Sequence, residues 1–196
     1  MSVLSRLNVP CFKAGGMAAV AEEDYRLVVD GLAETVQEYS LSDIKSWPKS
    51  SVSARLTSVS GFSFRALWEG VLWKDFVKIA RPEPKAGYAQ FLSIGSGYTT
   101  TVSLVDLDHP RVLLAYAVDG EVLEREYGGP LRMVIPHLYG YKSVKWLGSI
   151  RFVESMEGGY WEDRGYSREA IIEPGTTRDM NTGITRPIKG GEITEF

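Results

Sequence analysis

One cysteine and two histidines are all that 196 residues offer in thiol or imidazole ligands. Cys11 cannot close an internal disulfide, so nothing ties the chain to an oxidising compartment and a cytoplasmic location is expected. His109, His137 and Cys11 are scattered, and their spacings are not those of a zinc site. No Walker A loop, no G-x-S-x-G elbow and no dinucleotide fingerprint occurs. Long apolar runs are missing too. The longest, Val112 to Val118, is far too short to span a bilayer. Residues 1–16 carry Arg6 and Lys13 and lack the apolar centre of a signal peptide. The formal net charge of -3 gives no global attraction to nucleic acid or to an anionic membrane, and neither is expected as a partner.

What is present is an ordinary globular balance, 44% hydrophobic and 24% charged, long enough to bury a core. No internal repeat and no long linker divides it. The pattern predicts one domain over residues 1–166, with residues 1–24 as an N-terminal arm and 167–196 as an irregular polar tail. Within the arm, Met17 to Asp24 is Ala- and Glu-rich and predicts a short helix. Strands are expected over 25–32, 51–59, 88–94, 112–118 and 131–134, and over the later part of 144–153. Short helices are expected over 41–47, before Pro48, and over 103–108, before Pro110. Over 68–80, Leu72, Phe76, Ile79 and Ala80 fall at helical spacing. Strands and helices interleave without regular alternation. The fold class this supports is α+β, with a mixed β-sheet and short helices.

One stretch carries chemistry. Gly128-Gly129-Pro130-Leu131-Arg132 is followed by Tyr139-Gly140-Tyr141-Lys142-Ser143-Val144-Lys145-Trp146-Leu147. Glycines let backbone amides approach an anion, arginine offers a two-pronged fork, and lysine a point charge. Arg132, Lys142 and Lys145 beside Ser143 therefore read as a phosphate pocket. The same residues also read as solvated cations flanking a strand.

The stretch resembles the signature region of the sulfite oxidase family of molybdopterin enzymes. Other segments match in consistent order. Tyr25 to Leu32 is similar to the family's early strand. Leu56-Thr57-Ser58-Val59-Ser60-Gly61-Phe62-Ser63 with Trp68-Glu69-Gly70-Val71 resembles its cysteine-centred strand. Tyr98 to Ser103 and Val112-Leu113-Leu114-Ala115-Tyr116 resemble its substrate loop and following strand. Tyr160-Trp161-Glu162-Asp163-Arg164-Gly165-Tyr166 resembles the tail of many small prokaryotic members. Several such matches in order support a common fold.

The resemblance implies molybdopterin as cofactor and two-electron oxo transfer to or from a small oxyanion or oxo substrate. It implies an external electron-transfer partner. Arg132, Lys142, Ser143 and Lys145 become cofactor-binding residues. Tyr127 stands where the family often has a histidine near the cofactor. Tyr98 matches an active-site tyrosine, and Arg6 is a distant echo of the substrate-binding arginine in the family's arm. The metal ligand is where the chain departs. The family supplies a cysteine thiolate, a soft anionic ligand; Ser58 stands there. Three readings stay open: an engineered replacement, a natural oxygen ligand, or a cofactor bound without catalysis. The alternative to an enzyme is therefore a molybdopterin-binding or carrier protein on the same fold.

Overall fold

The computed structural model describes residues 2–16 and 20–196. Its elements, in chain order, begin with α1 (Val3–Arg6), β1 (Arg26–Gly31), β2 (Gln37–Ser40), α2 (Leu41–Ser46), β3 (Ser50–Thr57) and β4 (Phe62–Leu72). There follow α3 (Trp73–Ala80), β5 (Tyr88–Ser93), β6 (Thr99–Ser103), α4 (Leu104–Leu107), β7 (Leu113–Val118) and β8 (Glu121–Val122). The last are β9 (Arg132–Val134), β10 (Leu147–Val153), β11 (Gly175–Asp179) and β12 (Thr185–Ile188). Two sheets result. One runs β2-β1-β10-β5-β6, with only the β1–β10 pair parallel. The other runs β12-β11-β4-β7-β8, with β3 added to β4 and β9 to β7, and only the β11–β4 pair parallel. Both sheets are mixed and the helices are short, as the α+β expectation requires. No helix among the described residues is long and apolar enough to cross a membrane.

Local chemistry explains the helix that sequence placed best. Ser40 and Asp43 form a reciprocal capping box at the start of α2: the Ser40 hydroxyl accepts from the Asp43 amide at 3.1 Å, and the Asp43 carboxylate accepts from the Ser40 amide at 2.8 Å. Pro48 stands two residues past its end.

Four expectations need correction. The predicted helix over 68–80 begins only at Trp73. Residues 68–72 are the end of β4, which lies between β3 and β7. The pairing is tight at Gly70, where a Cβ would meet the Leu114 carbonyl oxygen at 1.9 Å. Of the helix expected over 17–24, residues 17–19 lie outside the described residues, and the rest is not helical, with a turn over 22–24. β3 alternates only in its first half; from Ala54 to Thr57 every side chain is buried. The tail is not irregular. β11 joins the second sheet beside β4, β12 folds back on it, and Glu192 reaches Arg111 at 2.7 Å and His109 at 3.5 Å.

Two cores divide the apolar residues. Trp73 centres the first, 5.2 Å from Phe76 and 5.9 Å, edge-on, from Phe91. The second lies on the other sheet, where Leu4 and Val9 of the arm cover Leu56, Phe64, Trp68, Leu113 and Val134. The Ser2 amide donates to Glu124 at 2.8 Å and fastens the arm there.

The tail's attachment runs through a buried charge pair. Arg55 of β3 donates to Asp179 of β11 at 2.7 Å, both side chains almost wholly out of solvent. Removing one partner of such a pair leaves an uncompensated buried charge. Asp179→Ala is expected to destabilise the protein by about 3 kcal/mol or more. Urea denaturation of the two proteins checks this, and an unchanged midpoint and slope would show the tail to be energetically idle.

Candidate functional site

The two sheets and the arm enclose a cavity of about 220 Å3. Its walls come from the β3–β4 turn (Ser58, Val59, Ser60), from Ser93 and Tyr98 at the β5–β6 end, from the loop around Gly140 to Trp146, and from Val9, Pro10 and Phe12 of the arm. Trp161 and Tyr166 close the side beside Tyr98 and Tyr141. The walls are mostly apolar, and the cationic side chains lining it are Arg132 and Lys145.

The loop is held by main-chain bonds that cross it. Met133 donates to Val144 at 2.8 Å, Leu147 to Leu131 at 2.9 Å, and Trp146 to Gly128 at 3.2 Å. Gly128 sits at φ +107, where a Cβ would meet the Lys145 stem at 2.9 Å. A side chain there would displace the lysine, so the glycine is required for the lysine's position.

Arg132 is 5% exposed. Its Nη1 donates to the Tyr127 carbonyl at 2.7 Å, its Nη2 to the Ser143 carbonyl at 3.2 Å and its Nε to the Met133 carbonyl at 3.2 Å. The guanidinium carries five N–H donors. All three partners are neutral, so two donors and the whole charge remain unanswered among the described residues. The guanidinium carbon lies 5.2 Å from the Trp68 ring centroid. Burial lowers its pKa to about 10, with Cys11 nearby opposing the effect.

Lys145 is half-buried. Its ammonium donates to the Phe12 carbonyl at 2.5 Å and lies 3.4 Å from both the Cys11 sulfur and the Glu126 carbonyl. Its pKa is lowered to about 8, mainly by burial; Cys11 opposes the shift and the Arg132 charge adds to it. Two desolvated cations side by side without a carboxylate form a site for an anion. A multiply charged terminal phosphate fits that donor set.

The other expected residues distribute unevenly. Ser143 is buried at the cavity wall, its hydroxyl accepting from the Ile135 amide at 2.9 Å and its carbonyl holding Arg132. Tyr127 lines the same wall, with its hydroxyl 3.2 Å from the Leu4 and Val9 carbonyls, so its proton ties down the arm. Tyr98 lines the cavity and donates to the Tyr141 carbonyl at 2.5 Å; burial drives its pKa upward and keeps the phenol protonated. Ser58 lines the cavity directly after β3, its hydroxyl accepting from the Ser60 amide at 3.1 Å.

Lys142 and Arg6 are corrections. Lys142 is fully buried but turns away from the cavity, donating to Glu162 at 2.5 Å and the Thr101 carbonyl at 2.8 Å. Its charge is already matched, so it leaves none for a cofactor. Arg6 projects from the end of α1, its side chain 56% exposed, 3.9 Å from Glu121 and outside the cavity wall. The arm does reach the cavity, through Val9, Pro10 and Phe12 instead. Sequence reasoning also passed over Trp161 and Tyr166 as wall residues and Glu162 as the partner of Lys142. His109 and His137, scattered in sequence, stack at 4.4 Å elsewhere in the fold. Among the described residues, no cluster of three or more His, Cys, Asp or Glu side chains could hold a metal.

This geometry meets the comparisons with known proteins. Residues 14–161 match the family described as the oxidoreductase molybdopterin binding domain. The chain is 38% identical over 143 residues to an uncharacterized oxidoreductase, YuiH, of Bacillus subtilis, covering 72% of each. It is 29% identical over 178 residues to the protein-methionine-sulfoxide reductase catalytic subunit MsrP of Ralstonia nicotianae, covering 83% of this chain and 52% of that protein. It is 28% identical over 201 residues to sulfite oxidase of Arabidopsis thaliana, covering 84% and 50%. The sulfane dehydrogenase SoxCD of Paracoccus pantotrophus shares the fold, with a TM-score of 0.69 over 90% of this chain and 47% of that one, at 18% identity. The chain belongs to the family of oxidoreductase molybdopterin-binding domains. It spans about half the length of the reductase and the oxidase it matches.

The lysine's depressed pKa has a measurable consequence. A cation bound to an anion regains its proton, so affinity must fall as pH rises through about 8. Sulfate, whose charge is constant over this range, is the probe. Calorimetry is expected to show weakening binding across that pH and a flat profile for Lys145→Met. Equal pH dependence in both proteins would remove Lys145 from the site.

Proposed function

We propose that the chain is the molybdopterin-binding unit of an oxidoreductase performing two-electron oxo transfer to or from a small sulfite- or sulfoxide-like substrate. The observation that carries this reading is Arg132, a buried guanidinium with two unused donors and no counterion, beside the desolvated ammonium of Lys145. Arg132, Lys145 and the Ser143 wall would hold the cofactor's terminal phosphate. Ser58 would face the metal, and Tyr98 would border the substrate. When bound, the molybdenum supplies the oxo-transfer chemistry and the change of oxidation state. The chain's own part is to bind and orient, and to keep water away with Val9, Pro10, Phe12, Phe62 and Trp161. Tyr98 supplies a phenol that stays protonated at any working pH. Electrons pass to or from a separate partner. The relatives' names, a methionine-sulfoxide reductase subunit and a sulfite oxidase, support the substrate class.

A second reading has its own observation. At Ser58 the cavity offers a hydroxyl where the family offers a thiolate, and the lining contains no cysteine. A hydroxyl is a harder and far less acidic ligand, which favours a protein that binds the cofactor with little turnover. Expression in a host that makes the cofactor separates the two. Pterin and molybdenum are expected in the isolated protein, and Arg132→Ala with Lys145→Ala should reduce pterin content about tenfold or more. Ser58→Cys should raise sulfoxide or sulfite turnover by about tenfold or more over the parent chain. Equal turnover of the two would show that the ligand is indifferent. Absence of pterin from the parent protein would end the cofactor reading.

A further inference from the structure

The aromatic wall of the cavity is assembled from three separate stretches of chain. Tyr98 precedes β6, Tyr141 lies in the cofactor loop, and Trp161 and Tyr166 come from the segment after β10. The rings meet one another. Tyr141 lies edge-on to Tyr166 at 5.4 Å, and Trp161 lies 4.9 Å from Tyr166. The Tyr98 hydroxyl donates to the Tyr141 carbonyl. Behind the wall sits one fully buried polar node. Lys142 donates to Glu162 at 2.5 Å and to the Thr101 carbonyl at 2.8 Å, while the Thr100 hydroxyl donates to the same Glu162 oxygen. The Thr101 hydroxyl donates to the Gly158 carbonyl at 2.7 Å. Each member of the node is a close chain neighbour of a wall residue: Lys142 follows Tyr141, Glu162 follows Trp161, and Thr100 is two residues beyond Tyr98.

We infer that Lys142 and Glu162 are positioning residues for the substrate side of the cavity, fixing the aromatic wall while the anion end, Arg132 and Lys145, stays independent of them. A surface staple would do little. An ion pair buried to 0% exposure on both side chains cannot exchange its partner for water, and it ties its three segments together. Among the described residues, one Glu162 carboxylate oxygen is also buried without a hydrogen-bond partner. A buried polar atom left unpaired calls for a reason other than stability. The inference rests on the oxo-transfer reading for its kinetic consequence, but not for its structural one.

The test uses Lys142→Met with Glu162→Gln, which removes both charges together and leaves neither stranded. In the protein labelled with fluorotryptophan and free of cofactor, the Trp161 resonance, identified with Trp161→Phe, is expected to shift and broaden while those of Trp47, Trp68, Trp73 and Trp146 hold. After cofactor loading, pterin content should match the parent chain. The KM for methyl phenyl sulfoxide should rise on the order of tenfold, with kcat changed less than about twofold. Lys142→Arg, which keeps the charge pair, should recover most of the KM. An unmoved Trp161 resonance, or a KM unchanged in a stable loaded variant, overturns the inference. So does a loss of pterin, which would return Lys142 to the cofactor's anchor. Should the double variant not fold, Thr100→Val removes one contact to Glu162 and must move the same resonance in the same direction. If the parent chain takes up no pterin or turns over no sulfoxide, the functional reading fails, and the resonance of the cofactor-free protein still decides the role of the node.

Discussion

A buried positive charge without a negative one is the constraint around which this protein is arranged. Moving a guanidinium out of water costs several kcal/mol even after the surroundings relax. The chain offsets part of that at Arg132 with three carbonyls and the face of Trp68. Those carbonyls belong to Tyr127, Met133 and Ser143, so the stretch from Gly128 to Trp146 is folded around the side chain. Gly128 then clears room for Lys145, and the arm is tied to this stretch through the Val9 and Phe12 carbonyls, which accept from Tyr127 and Lys145. A second cation brought to the first makes the deficit larger. Folding alone gives no reason for that; an anionic ligand does.

Arg55, Arg132 and Lys142 are the buried cations among the described residues. Arg55 has Asp179 and Lys142 has Glu162, each within hydrogen-bonding distance. Arg132 has no carboxylate. Two of the three thus follow the rule that buried charges are paired inside the protein, and the exception lines the cavity. A cation with its own carboxylate joins segments of the chain; a cation without one is left to a ligand.

That distinction is also why part of the site was legible in sequence and part was not. Arg132, Ser143 and Lys145 were readable because glycines, cations and a hydroxyl fall together within one stretch. Lys142 looked the same as Lys145 from there. What separates them is Glu162, 20 residues downstream, and no local pattern announces that contact. Arg6 misled because its motif was matched by residue type, while the arm presents Val9 and Phe12 to the cavity instead. The strands with alternating or continuous apolar runs were readable for the same reason the site stretch was: their signal is local. β4 was not, because residues 68–80 offer apolar positions compatible with either period, and only pairing with β3 and β7 selects the extended form up to Leu72. β11 is polar in sequence and becomes a strand through β4, with Asp179 answering a charge that β3 had buried.

The departure at Ser58 follows from the same geography. Arg132 lies on β9 and Lys145 on the loop after it; Ser58 lies in the turn after β3, in contact with that loop through the Thr57–Tyr139 bridge. Exchanging sulfur for oxygen at Ser58 changes one small, half-buried side chain whose hydroxyl already has a use, accepting from the Ser60 amide. It disturbs none of the bonds that hold Arg132, Lys145 or Ser143. Under the proposed function, holding the cofactor and facing its metal would fall to different strands and would therefore be separable. Under the proposed function, the cation pair therefore bears on what this cavity binds, and position 58 on what a metal bound there would do.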